Sequence, residues 1–120
     1  MATIKSYTSV EQSKKLAKIL PLESADMYYC YSMDVYTKKW EYDITPTIID
    51  ESNQIDVGDI PCWSLAALLG ALPKSIIYTP SQVLARYCCK NIIHDLKTYG
   101  DNPVDACYEM IIRLHELNLL

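Results

Sequence analysis

Between Pro61 and Pro73 the chain reads Cys-Trp-Ser-Leu-Ala-Ala-Leu-Leu-Gly-Ala-Leu, with no charge and a single hydroxyl. A stretch this apolar has two homes, a bilayer or a protein core. It is too short for a span, which takes about 20 apolar residues. A helix over 61–72, apolar on every side and buried, is therefore expected, with the rest of the chain packed around it. Asp59 or Cys62 would start it, since Pro61 is tolerated in a first turn. Gly70 can take the left-handed conformation that ends a helix, and Pro73 blocks continuation. Leu65, Leu68 and Leu69 are then core. Trp63 has the makings of a partner anchor, but its place beside this helix puts it in the core as well.

What can surround such a helix is bounded by composition. At 120 residues, half of them hydrophobic, the chain is expected to form one domain over 1–120 with a sizeable core. Its net charge of −4 argues against a phosphate-backbone binder, so no nucleic-acid partner is expected. Lys14, Lys15, Lys18, Lys38 and Lys39 would have to gather on one face to reverse that. The first eight residues lack an apolar h-region and no segment is long enough for a membrane span. Neither an export signal nor a membrane partner is expected. Five cysteines without paired spacing then read as reduced thiols in cytoplasm.

Along the chain, Thr8-Ser9-Val10-Glu11 has the form of a capping box. The helix behind it runs to Leu20, where Pro21 stops it, with Lys14, Lys15 and Lys18 on the solvent side. Residues 27–33 form a strand with Met27, Tyr29, Tyr31 and Met33 facing inward and Tyr28, Cys30 and Ser32 outward. Residues 40–44 alternate with Trp40, Tyr42 and Ile44 inward. A loop over 34–39 would pair the two segments. Ile48-Ile49 and residues 75–78 look extended. Residues 83–99 fit a helix or two short strands turning near Lys90-Asn91, and periodicity does not decide between them. At the C-terminal end, Asp101 or Asn102 caps, Pro103 takes the first helical position and Asp105 the first turn. Cys107, Met110, Ile111, Leu114 and Leu117 make its buried stripe, Glu109 and Arg113 its exposed pair, and Asn118 its left-handed end. The architecture expected is α+β, three helices packed on a small antiparallel sheet.

Two blocks, residues 60–73 and residues 101–117, resemble small uncharacterised proteins encoded in prophages and mobile elements of gut anaerobic bacteria. The N-terminal helix followed by Ser24-Ala25-Asp26 and tyrosines is similar too. The resemblance covers about half of the chain and brings no catalytic or binding residue with it. It implies strands between the blocks, which favours a hairpin for 83–99.

Motifs that carry chemistry are sparse. The three glycines lie far apart, so no phosphate loop forms. The carboxylates Asp50, Glu51, Asp56 and Asp59 lack calcium-loop spacing and read as a connecting loop. Cys88, Cys89, His94 and Cys107 lack the spacing that brings two ligands to one zinc ion, so neither metal nor cofactor is expected. Cys88 or Cys89 with His94 or His115 could form a nucleophile and base, in a thiol-dependent enzyme or hydrolase. The tyrosine-rich hairpin offers more: Tyr28, Tyr36, Trp40 and Tyr42 are the candidate contact residues for a protein partner or a second copy. A non-enzymatic contact protein is the function expected.

Overall fold

Asn102 and Pro103 set the start of the longest helix, α3 (Pro103–Glu116), among the residues that the computed structural model describes, 5–79 and 86–120. The Asn102 side chain accepts the Asp105 N–H at 2.9 Å, and Pro103 fills a position whose N–H has no helical partner. Val104, Ala106, Cys107, Met110, Ile111 and Leu114 are fully buried, a stripe at helical spacing. Asn118, at φ 58°, closes the helix, and the Leu119 N–H returns to the Leu114 carbonyl at 2.8 Å. Two details depart from expectation. Leu117 lies just past the last turn and is exposed rather than part of the stripe. Arg113 meets Glu116, at 3.7 Å, instead of Glu109.

Against α3 lies an antiparallel sheet of β6 (Ser75–Tyr78), β7 (Tyr87–Asn91) and β8 (Leu96–Gly100), in that order. Residues 83–99 are therefore a hairpin over their described part; 83–85 lie outside the described residues. The turn falls at 92–95, later than expected, with Asp95 at φ 53°. Ile77, Cys89 and Leu96 pack into the core, and the Thr98 hydroxyl donates to the Ala106 carbonyl at 2.7 Å. Strand alternation puts Ile76, Tyr78, Cys88, Lys90, Lys97 and Tyr99 on the opposite face. At Gly100 the sheet meets the helix so closely that an added methyl group would lie 2.6 Å from the Ala106 nitrogen. Only glycine fits there.

The apolar run divides into two elements. Residues 60–62 form a strand, β5 (Ile60–Cys62), and the helix α2 (Leu65–Ala71) starts only after Ser64, whose hydroxyl accepts the Ala67 N–H at 3.2 Å. β5 is an edge strand, where the missing N–H of Pro61 costs no ladder bond. Neither Asp59 nor Cys62 starts the helix. Trp63 is fully buried, with its indole N–H donating to the Ser24 hydroxyl at 2.9 Å. Leu68 is core and Leu65 partly so, but Leu69 faces outward. Gly70 stays helical; Leu72 makes the exit by turning extended, at φ −88° and ψ 126°. The centre of the fold is thus α3, and α2 covers one side of it.

At the N-terminal end, α1 (Val10–Leu16) is capped by Ser9 with Gln12, not by Thr8 with Glu11. Thr8 is taken up inside. Its hydroxyl accepts the Trp63 N–H at 3.1 Å and bonds the Ser13 hydroxyl at 2.8 Å, while its carbonyl accepts the Tyr29 hydroxyl at 2.8 Å. The helix ends at Leu16 rather than Leu20: the N–H groups of both Ile19 and Leu20 reach back to the Leu16 carbonyl, tightening the turn before Pro21. A one-turn 3-10 segment, Leu22–Ser24, follows. β1 (Met27–Tyr29) then runs between β4 (Thr47–Ile48) and β5. β2 (Tyr31–Met33) and β3 (Trp40–Tyr42) pair only with each other. The result is a single α+β domain with three helices and three small antiparallel sheets among the described residues, where one sheet was expected. No helix among the described residues is long and apolar enough to cross a membrane.

Candidate functional site

The expected continuous strand over 27–33 breaks at Cys30, and this break decides which tyrosines reach the surface. The Tyr31 N–H donates to the Asp59 carboxylate at 2.9 Å, and the Cys30 carbonyl accepts the Asp43 N–H at 2.9 Å. The chain thereby leaves the ladder of β1 and enters that of β3. Tyr28, expected outward, and Tyr29, expected inward, are both buried, at 8% and 2% exposure. Tyr28 sits in the middle strand of its sheet, opposite Thr47 and Pro61, and so drops out of the contact surface. Tyr31 and Met33, expected inward, lie outward.

Register puts Tyr31 opposite Tyr42 and Met33 opposite Trp40, with Ser32 opposite Glu41 on the other face. Four large apolar side chains thus share one side of a two-stranded sheet. The Tyr31 ring lies 4.7 Å from that of Tyr42 and 5.6 Å from that of Trp40, centroid to centroid, with tilted planes. Trp40 is 56% exposed, Met33 47% and Tyr31 38%. Tyr42 is half-buried, with the Lys14 ammonium 5.3 Å from its ring centre. Of the lysines whose gathering would make a basic face, Lys14 is spent on this ring.

The hairpin's turn is the longer one expected over 34–39. The Asp34 carboxylate accepts the N–H groups of Tyr36 and Thr37, at 2.8 and 3.3 Å, and Lys38 takes φ 59°. Tyr36, at its tip, is almost fully exposed. Ile44, expected inward, is exposed as well. Gly58, at φ 93°, brings the following loop against the Tyr31 ring. Carboxylates in that loop build its turns: Asp50 accepts the N–H groups of Ser52 and Asn53, and Asp59 those of Tyr31 and Asp56.

The thiols lie elsewhere and apart. All five are free, and Cys62, Cys88, Cys89 and Cys107 have no exposed surface. Cys89 and Cys107 both lie in the core, where interaction with Cys89 and then burial push the Cys107 thiol far up, while interaction with Cys107 lowers Cys89 against the effect of burial. Cys88 points to the other side of its sheet, and His94 and His115 are exposed, one in the turn at 92–95 and one near the end of α3. Among the described residues no hydrogen bond joins a histidine ring to a thiol. The structure does not assemble the pairs Cys88 or Cys89 with His94 or His115, nor the four-residue zinc set.

Tyr31 and Met33 share the exposed face with Trp40 and Tyr42, and sequence reasoning had assigned both to the interior. Their spacing was visible, but alternation gives two faces without saying which one is buried. Set beside protein-family models, curated proteins and solved structures, this chain matches none of them.

Proposed function

We propose that this protein is a contact module that binds another protein through the aromatic face of the β2–β3 hairpin. The observation that carries this reading is the sharing of one face by Tyr31, Met33, Trp40 and Tyr42 on a sheet of only two strands. A two-stranded hairpin is marginal in water on its own, so a partner seated on that face stabilises the element it recognises. Rigid rings give contact area at low entropic cost, and Trp and Tyr are the side chains that dominate interface energetics. Asp34, Glu41, Asp43 and Asp59 outnumber Lys38 and Lys39 on and beside the hairpin, and this excess favours a partner with a basic rim around an apolar centre. Five free thiols, four of them fully buried, support a reducing setting such as cytoplasm.

The test is the Trp40→Ser protein. Its urea midpoint is expected to stay near wild type, a change within about 1 kcal/mol, since the Trp40 side chain is 56% exposed and its ring partner Tyr31 lies on the same hairpin. A partner recovered from the host by the wild-type chain should be lost from the variant. Light scattering across a concentration series separates a foreign partner from a second copy. Equal recovery by wild type and variant removes the proposal.

A further inference from the structure

Most of the exposed large apolar residues fall in two stretches of opposite charge. Residues 23–59, which include the hairpin, hold nine carboxylates and two lysines. Residues 74–97 hold Lys74, Arg86, Lys90 and Lys97 against Asp95 alone. Within this basic stretch Ile92 and Ile93 stand in the β7–β8 turn, 56% and 58% exposed, and Ile76 lies nearby on the open face of the sheet, at 47%. Short turns normally carry Gly, Asn, Asp or Ser, so an isoleucine pair there is out of place for a turn alone.

This turn is held firmly. Asn91 is fully buried; its amide donates to the Pro73 carbonyl at 2.7 Å and to the Ser75 hydroxyl at 3.2 Å, and its oxygen accepts the His94 N–H at 2.9 Å. The Ile92 N–H donates to the Lys74 carbonyl at 2.9 Å, which fixes the isoleucines beside Lys74. One row back, Ile76, Lys90 and Lys97 stand side by side across the three strands. Lys90 and Lys97 are direct cross-strand partners, and like charges so placed oppose folding. Asp95 relieves this only in part, at 3.6 Å from Lys90 and with its own carboxylate largely in water.

We propose that this end of the sheet docks on the anionic surface of a lipid bilayer. Ile92 and Ile93 enter the boundary between headgroups and acyl chains, and Lys74, Lys90 and Lys97 meet the lipid phosphates. The protein then lies on the membrane and does not cross it. Charge complementarity selects this patch: the apolar residues of the acidic half would be repelled by the same surface. Each lysine near an anionic bilayer strengthens binding about fivefold, so three together are worth about a hundredfold. Single-stranded nucleic acid is the other polyanion to weigh. It is held by stacking on aromatic rings, but the large apolar side chains exposed at the turn are aliphatic, His94 is its one ring, and the Tyr99 ring already has the Arg86 guanidinium 5.6 Å from its centre.

The experiment is co-sedimentation of the full chain with vesicles of phosphatidylcholine, with and without phosphatidylglycerol, at low and high salt. Binding is expected only to the anionic vesicles, and weaker in high salt. Lys97→Glu should lower it by fivefold or more, without lowering the urea midpoint, because it turns a like-charge pair into an opposite one. Ile93→Ser should weaken it as well, and Trp40→Ser should leave it unchanged, so the hairpin and the turn are tested separately. No binding to anionic vesicles at low salt overturns the proposal, as does binding that neither Lys97→Glu nor Ile93→Ser reduces. So does capture of a labelled oligothymidylate, abolished by Lys97→Glu, by a protein that leaves vesicles unbound.

Discussion

At Asp105 three partners from two parts of the chain converge on one carboxylate. Burial alone would raise its pKa, but the Lys5 ammonium at 2.8 Å, the Gln12 amide at 2.9 Å and the Asn102 amide at 2.9 Å hold it below the ordinary carboxylate value. A depressed carboxylate contributes stability that is complete above the unfolded value of about 3.9 and lost as pH falls through the folded one. Asp105→Asn should therefore be less stable than wild type in urea melts at pH 7, and the gap should narrow in acid, below the unfolded value of about 3.9. A gap of the same size at pH 7 and in acid would mean that shape, not charge, ties the N-terminal segment to α3. Thr8 offers a sharper test of a buried hub. Thr8→Val keeps the volume but strands the Trp63 N–H and the Ser13 hydroxyl, and should cost about 1–3 kcal/mol. The hub was not legible in advance. Thr8 and Ser9 are each followed three places later by Glu11 and Gln12, so two capping boxes overlap, and only the demand of the distant Trp63 backbone assigns Ser9 to the helix.

Among the elements, the C-terminal helix was readable to within a residue at its start, with Asp101 or Asn102 as the cap, because its start and stop lie in local chemistry: an amide cap, a proline, a left-handed asparagine. The apolar run was not. Eleven uncharged residues carry no periodicity, so a buried strand followed by a helix reads the same as one buried helix. The marks of the division were present all the same, in Ser64 as the run's one hydroxyl and Pro61 as a residue at home on a sheet edge. What the run could not disclose is that the helix is covered on one side only. Leu68 is fully buried and its neighbour Leu69 is 36% exposed. Leu68→Ala should cost about 2–5 kcal/mol through lost transfer energy and the cavity left, while Leu69→Ala should stay under about 1 kcal/mol. Equal losses in urea melts would mean that α2 is buried all round, as its composition suggested.

For the whole molecule, the radius of gyration is 15.5 Å, where about 13.6 Å is usual at this length, and the extents are 47 × 36 × 26 Å. The excess fits a division of labour between two halves. α3 with β6, β7 and β8 is held by a buried stripe, a close approach at Gly100 and cross-strand pairs running the length of the strands. The β2–β3 hairpin has three residue pairs, a cluster of rings partly open to water and, among the described residues, no further strand. The tyrosines that form it were visible in the sequence, but the break at Cys30 was not, because it depends on Asp59, almost thirty residues away in the chain. Stability should be divided in the same way. In native-state hydrogen exchange, amides of β7, β8 and the middle of α3 should exchange only through global unfolding, with free energies that follow the urea melt. Amides of β2 and β3 should exchange through local opening, at lower free energy and with little dependence on urea. Leu68→Ala should then speed the first set and leave the second where it was. A bound partner on the aromatic face should do the reverse, slowing the hairpin amides and no others. If the hairpin already exchanges as slowly as α3 in the free protein, it needs no partner for its stability, and the argument that a partner completes it falls.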